Sequence, residues 1–197
     1  GLAVPPESLA AALAHQEKAC PARLGTSYTY FHLLVAVLAD LGLAVGPEQA
    51  ACLADAYAGP RYGSWLYPGT LGAVARLHQH GYRLGVIANT AWPGFCMDRA
   101  FAGVGLLPYF GLRLYSGDLG LAKPDPAIFH LAERYAGLTG ARKRILYVGN
   151  DPEKDIRAAT AVGWSTAQRL AADEPSPGLA GFEFTDIQAL LVHCLAD

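Results

Sequence analysis

Three short segments of this chain hold side chains suited to the chemistry of a charged small molecule. Asn89 and Thr90 follow the apolar run Leu84-Gly85-Val86-Ile87-Ala88. Lys123 stands within Gly120-Leu121-Ala122-Lys123-Pro124-Asp125-Pro126, and Asn150, Asp151 and Asp155 follow Ile145-Leu146-Tyr147-Val148. Together they offer a small amide and hydroxyl, a fixed cation, and two carboxylates four residues apart. A cation of this kind holds a phosphate. Paired carboxylates hold Mg2+, which prefers few hard oxygen ligands and keeps several waters. Taken singly, each residue has a plainer role. Asp151 before Pro152 has the pattern of a helix N-cap with proline in the first turn. Asn89 after a strand has that of a turn residue bonding its own backbone. Lys123 before a proline reads as an exposed loop lysine. It is their order, after successive strand signals, that joins them into one candidate site.

The elements that must position these residues are legible in the hydrophobic spacing. A helix is expected from about Pro6 to Cys20. A second carries Phe31, Leu34, Val35 and Leu38 at i, i+3, i+4, i+7 and ends near Gly42, and a third opens at Pro47 and runs through Ala56. Gly59 to Gly69 is rich in turn formers and aromatics. From there helices and strands alternate. Thr70 is expected to cap a helix with Leu71, Val74 and Leu77 inward, and the run from Leu84 to Ala88 reads as a buried parallel strand. A helix near Pro93 to Ala102 and a strand near Leu112 to Tyr115 follow. Asp125-Pro126 then starts a helix with Ile128, Leu131, Ala132 and Tyr135 on one face. Ile145 to Val148 is the next buried strand, Asp151 to Val162 a helix, Ser165 to Leu170 a weak strand, and Ile187 to Leu195 a closing helix. This order predicts right-handed crossovers and a parallel sheet with helices on both faces. In such a sheet the ligand site lies beyond the carboxyl ends of the strands, where the three segments fall.

Composition narrows the function classes. With 52% hydrophobic and 16% charged residues among 197, the chain is that of a packed protein and not a disordered one. Its net charge of −2 gives no basic surplus for phosphate backbones, so no nucleic-acid partner is expected. The longest apolar stretch, Leu33 to Ala39, ends at Asp40, far short of the ~20 residues of a membrane helix. No membrane partner and no export signal are expected. Cys20, Cys52, Cys96 and Cys194 are widely spaced thiols without a C-x-x-C pair, in keeping with a cytoplasmic location.

The arrangement resembles the haloacid dehalogenase (HAD) superfamily, in its capped, C1-type form. Tyr82 to Thr90 looks like the second motif of that family, Gly120 to Phe129 like the third, and Tyr147 to Ala159 like the fourth. The likeness is close over about Leu66 to Leu170. The helical first third is similar in position and character to the small cap domain that many members insert between their first and second motifs. The resemblance implies a three-layer Rossmann-like α/β core over residues 67–197 and a helical cap over residues 1–66. It also implies a Mg2+-dependent phosphatase of a small phosphorylated metabolite, in which an aspartate attacks the substrate to form a covalent intermediate. Lys123 would be catalytic, steadying negative charge, and Asn89 and Thr90 would bind the phosphate. Asn150, Asp151 and Asp155 would hold the metal, with Asn150 and Asp151 as alternatives for its first position. Tyr28, Tyr30, His32 and Trp65, near the crevice, could select a substrate, although aromatics beside helices more often serve packing.

Two departures accompany the likeness. The first motif, an apolar strand followed by Asp-x-Asp-x-Thr, does not occur in the 197 residues; the early acids Glu7 and Glu17 follow no apolar run. Ala88 occupies the place of the small hydroxyl usual in the second motif. By similarity the first motif ends the central strand, so the runs 84–88 and 145–148 are expected to flank a gap that a strand from another segment or chain would complete. A 2-haloacid dehalogenase, which needs no metal, is the rival enzyme, and the acids at 151 and 155 oppose it. A HAD-like binding or regulatory module without catalysis is the rival class. Ala88 favours that reading, and Lys123 with Asp155 opposes it. A phosphate-relay receiver domain is excluded by order, since its acid pair precedes its lysine.

Overall fold

The computed structural model describes residues 4–59, 66–173 and 175–196. Helix α1 (Pro6–Leu24) carries Pro6 in its first turn, where a missing N–H costs nothing. It runs a turn beyond the predicted stop, through Pro21 to Gly25. Helix α2 (Tyr30–Asp40) opens on Thr29, whose backbone N–H donates to His32 Nδ1 at 3.2 Å, and α3 (Pro47–Ala58) again starts on a proline. Ala12, Leu33 and Val37 join α1 to α2, while Ala54 and Ala58 of α3 pack against Cys96. The turn-rich segment expected from Gly59 to Gly69 falls mostly, with Trp65, on residues 60–65, which lie outside the described residues.

After α4 (Thr70–Gln79) the chain alternates as the spacing predicts. It forms β1 (Leu84–Ala88), α5 (Gly94–Gly103), β2 (Phe110–Tyr115), the short α6 (Ser116–Leu119), α7 (Pro126–Ala136) and β3 (Leu146–Gly149). A wide helical turn over Pro152–Arg157 leads into α8 (Ala158–Ala161), then come β4 (Ser165–Arg169), β5 (Phe182–Phe184) and α9 (Ile187–Cys194). Thr70 is the first helical residue of α4, not its cap: Gly69, at φ 80°, holds the cap position and the Thr70 hydroxyl donates to Tyr67 O. Three residues are too few to show a period, so β5 escaped the sequence reading.

All strand pairs are parallel, but the strands form two pieces: β1 pairs with β2, and β3–β4–β5 form the other. Among the described residues no strand lies between β1 and β3. A groove of about 470 Å³ runs there instead, lined by Leu84, Gly85 and Ile87 on one side and Leu146, Tyr147 and Val148 on the other. The groove corrects the expectation that both runs are buried strands. Gly85, Leu146 and Val148 are exposed, because each strand has a neighbour on one side only. The same groove accounts for Tyr135, placed on the inward face of α7 by its spacing yet 70% exposed at the groove wall. Leu71, also expected inward, is exposed as well. The buried face of α7 is Ile128, Phe129, Ala132 and Glu133.

One core face holds the two pieces together. Leu114 of β2 and Tyr147 of β3 belong to a single cluster with Ile128, Phe129, Ala159, Val162 and Trp164. Within it Glu133 accepts from Trp164 Nε1 at 2.8 Å and from Arg142 at 3.0 Å, so its buried charge is paired. Ala167, Phe184 and Leu190 form a further cluster around β4, β5 and α9. No helix among the described residues is long and apolar enough to cross a membrane.

Candidate active site

The three segments do converge. Lys123 lies between α6 and α7, and its Nζ donates to Asp155 Oδ1 at 2.6 Å and to the Tyr147 hydroxyl at 2.9 Å. Both partners come from β3 and the turn after it. The pair is largely buried, with side-chain exposures of 12% for Lys123 and 7% for Asp155. The other Asp155 oxygen accepts the backbone N–H groups of Asn150 and Asp151 at 3.1 and 3.0 Å. This inward position depends on two local features. The turn over Pro152–Arg157 is wider than an α-turn, with Ile156 N bonding Asp151 O five residues back. Gly149 also leaves room: a Cβ there would lie 2.4 Å from Asp155 Cβ.

Asp151 takes the plainer of its two expected roles in this geometry. Its Oδ1 accepts the N–H groups of Glu153 and Lys154 at 3.0 and 2.8 Å, and its Oδ2 meets Lys154 Nζ at 3.5 Å. The bond from the Lys154 backbone, followed by that from Glu153, holds its carboxyl below the usual carboxylate range. Tyr147 is pushed well above the ordinary tyrosine value, by burial first and then by the Asp155 charge, so its hydroxyl stays protonated. The hydroxyl stands 3.3 Å from Asp155 Oδ1 and 3.5 Å from Ile87 O, the latter on β1.

Asn89 faces the same crevice from the end of β1. Its Nδ2 donates to Lys123 O at 2.7 Å and its Oδ1 accepts from Lys123 N at 2.9 Å. The Thr90 hydroxyl turns the other way, accepting from Trp92 N at 2.9 Å and donating to Met97 Sδ at 3.9 Å. The Thr90 backbone N–H donates to Ser116 Oγ at 2.9 Å, and that hydroxyl donates back to Thr90 O at 3.3 Å. Ser116, Tyr147 and Asp118, whose oxygens both accept from Gly94 N at the start of α5, were not singled out by sequence reasoning as site residues. Tyr147 carried a signal, a polar-tipped aromatic in an otherwise aliphatic strand next to the acid-bearing loop.

The first helices close over this end of the sheet. Tyr30 N donates to Ala91 O at 2.7 Å, and the Thr26 hydroxyl donates to Gly120 O at 2.9 Å. Gly117 is required at that seam, since a Cβ would lie 2.6 Å from Thr29 Cγ2. Tyr30 packs at a tilt against Trp92, ring centres 4.2 Å apart, with Tyr28 and Tyr57 beside it. Burial raises the Tyr28 phenol to about 12.

A cation bonded to a buried carboxylate, at the carboxyl ends of parallel strands and beneath the first helices, makes a crevice where open α/β sheets hold their ligands. The sequence profile of the haloacid dehalogenase-like hydrolases matches residues 10–163, and the chain belongs to that family. Over 117 residues it is 34% identical to a phosphoserine phosphatase of Thermus thermophilus, covering 59% of this chain and 45% of that one. Over 138 residues it is 30% identical to a phosphoglycolate phosphatase of Pectobacterium atrosepticum, covering 66% and 57%. The chain thus spans about half the length of these curated relatives. Its fold is shared with a HAD phosphatase from Thermococcus onnurineus (TM-score 0.65, 17% identity, 97% of this chain and 80% of that one). It is shared equally with a 2-haloacid dehalogenase from Pseudomonas syringae pv. Tomato (TM-score 0.64, 24% identity, 98% and 82%).

Proposed function

We propose that this chain forms part of a Mg2+-dependent phosphatase acting on a small phosphorylated metabolite, and that its nucleophile arrives on a strand seated between β1 and β3. The observation that carries the reading is the Lys123–Asp155 pair at 2.6 Å, held beside an open strand position. The phosphatase names of the relatives support the substrate class. In this reading α1–α3, with residues 1–66, are the cap domain, and residues 67–197 are the core. The enzyme acts in the cytoplasm, with neither nucleic acid nor membrane as partner. The Asn89–Thr90 turn lies against the phosphate, and Lys123 steadies the charge that builds on its oxygens.

The donor set fits magnesium only in part. Asn150, Asp151 and Asp155 supply hard oxygens within one turn, as the ion requires. Both Asp155 oxygens already accept hydrogen bonds, and the described residues include no group of three His, Cys, Asp or Glu side chains suited to a metal. Asp151 and Asp155, with Asn150, would hold the ion weakly, and bound magnesium would neutralise charge on the phosphate. The seated strand would supply a further carboxylate.

The groove makes strand complementation the physical complement of this reading. β1 and β3 each have a strand neighbour on one side only, and their facing edges lie beside apolar walls, an arrangement that an added strand completes on both sides. A second reading, a binding module without catalysis, draws on the Thr90 hydroxyl, which Trp92 N already engages. The deciding assay is turnover of para-nitrophenyl phosphate. The chain alone is expected to give none, because covalent catalysis lacks its nucleophile. A peptide with an apolar strand ending in Asp-x-Asp-x-Thr should restore a Mg2+-dependent rate that Lys123→Ala abolishes. A rate from the chain alone, or a restored rate indifferent to Lys123, would overturn the proposal.

A further inference from the structure

We propose that Asn89 is a positioning residue: its side-chain amide mounts the backbone of Lys123, and it acts on a bound phosphate through that lysine. The inference rests on the phosphatase reading only for what Lys123 does once it is mounted.

Both polar atoms of the Asn89 side chain are committed to one residue, Nδ2 to Lys123 O at 2.7 Å and Oδ1 to Lys123 N at 2.9 Å. The second Nδ2 hydrogen takes no part in either bond, so the mount on Lys123 holds whether or not an anion is bound. Two bonds side by side fix both the place and the rotation of a residue, whereas one bond leaves rotation free. Lys123 needs that constraint. It lies in the stretch between α6 and α7, where no helix or strand partner holds its own N–H and C=O groups. From there its long side chain must reach Asp155 and Tyr147 in the other sheet piece. Asn89 thus ties β1 to Lys123, and Lys123 ties onward to β3 and the turn after it.

The residue type follows from the geometry. A donor and an acceptor on adjacent atoms of a short stem are offered by a primary amide and by no carboxylate or hydroxyl in its usual ionisation state. Aspartate keeps the acceptor for Lys123 N and loses the donor for Lys123 O. Glutamine carries the same group one methylene too far.

The test reads the lysine itself, in the full chain and without substrate. Lys18, Lys123, Lys143 and Lys154 are the only lysines, so a ¹⁵N-labelled sample gives at most four side-chain ammonium resonances. The Lys123 signal is the one lost in Lys123→Arg. In the wild type it should stand apart from the other three and move on Asp155→Asn. Asn89→Ala should shift it towards the other three, and Asn89→Asp should move it part of the way. The indole N–H resonance of Trp164, bonded to buried Glu133, reports whether the core is intact and should not move. An unmoved Lys123 signal in Asn89→Ala overturns the proposal. A Trp164 signal that shifts together with Lys123 overturns it too, since Asn89 would then be a general structural residue. Failure of the phosphatase reading would appear in turnover and leave these resonances untouched.

Discussion

Lys123 and Asp155 meet at 2.6 Å although one is fastened to the β1 end of the molecule and the other to the turn after β3. The candidate site is therefore also a tie between the two sheet pieces. Removing one partner leaves the other buried without its counter-charge. Asp155→Ala should cost about 3–5 kcal/mol of stability in urea unfolding. The double variant Lys123→Met/Asp155→Leu should cost clearly less than the sum of the single changes. Additive losses would show that the pair is not coupled.

Gly149 tests how Asp155 is aimed. A Cβ at that position has no room beside the aspartate, so Gly149→Ala should destabilise by about 1–3 kcal/mol. Gly103→Ala, where a Cβ meets nothing within 4 Å, should leave the midpoint unchanged or slightly raised. Equal effects of the two would contradict the packing described.

A pH prediction follows from Glu133. Burial alone would raise its pKa, but the Trp164 hydrogen bond, with Arg142 and His130, brings it below the usual value. A carboxyl depressed in the folded state adds stability above its unfolded value, near 4.3, and loses it as pH falls through the folded value. Glu133→Gln should therefore be less stable than wild type at pH 7, by about 1–3 kcal/mol. The gap should narrow below pH ~4. A gap that widens in acid would reverse the assignment.

Magnesium should bind this chain more weakly than the micromolar range, because the shell is incomplete. Titration calorimetry of wild type against Asp151→Asn/Asp155→Asn measures it. Micromolar binding that survives both changes would place the metal elsewhere.

Much of this was legible in the sequence because parallel strands with crossover helices leave two strong signals, short apolar runs and proline-opened helices. Asp125-Pro126 and Asp151-Pro152 gave their helix starts correctly, and the Lys123–Asp155 encounter followed from strand order. The groove shows what spacing alone misses. Tyr135 and Leu146 carry the pattern of core residues, and only the strand order, with β1 and β3 unpaired to each other, reveals that their side of the sheet is open. The orientation of polar groups was less readable still. Asn89 and Thr90 are neighbours with similar expectations, yet one amide is spent on Lys123 and one hydroxyl on Trp92, choices set by loops that carry no periodic signal.

The groove between β1 and β3 is the centre of the account, and a thermal melt of the full chain with a strand peptide probes it most directly. The peptide carries ~5 apolar residues followed by Asp-x-Asp-x-Thr, and a control has the same residues in scrambled order. Because only the folded chain offers the groove, the peptide should raise the midpoint by about 5–10 °C at a concentration near 100 times its Kd. The scrambled control should leave it unchanged. A folded, monomeric chain whose midpoint is indifferent to the peptide would contradict the claim that a strand belongs there.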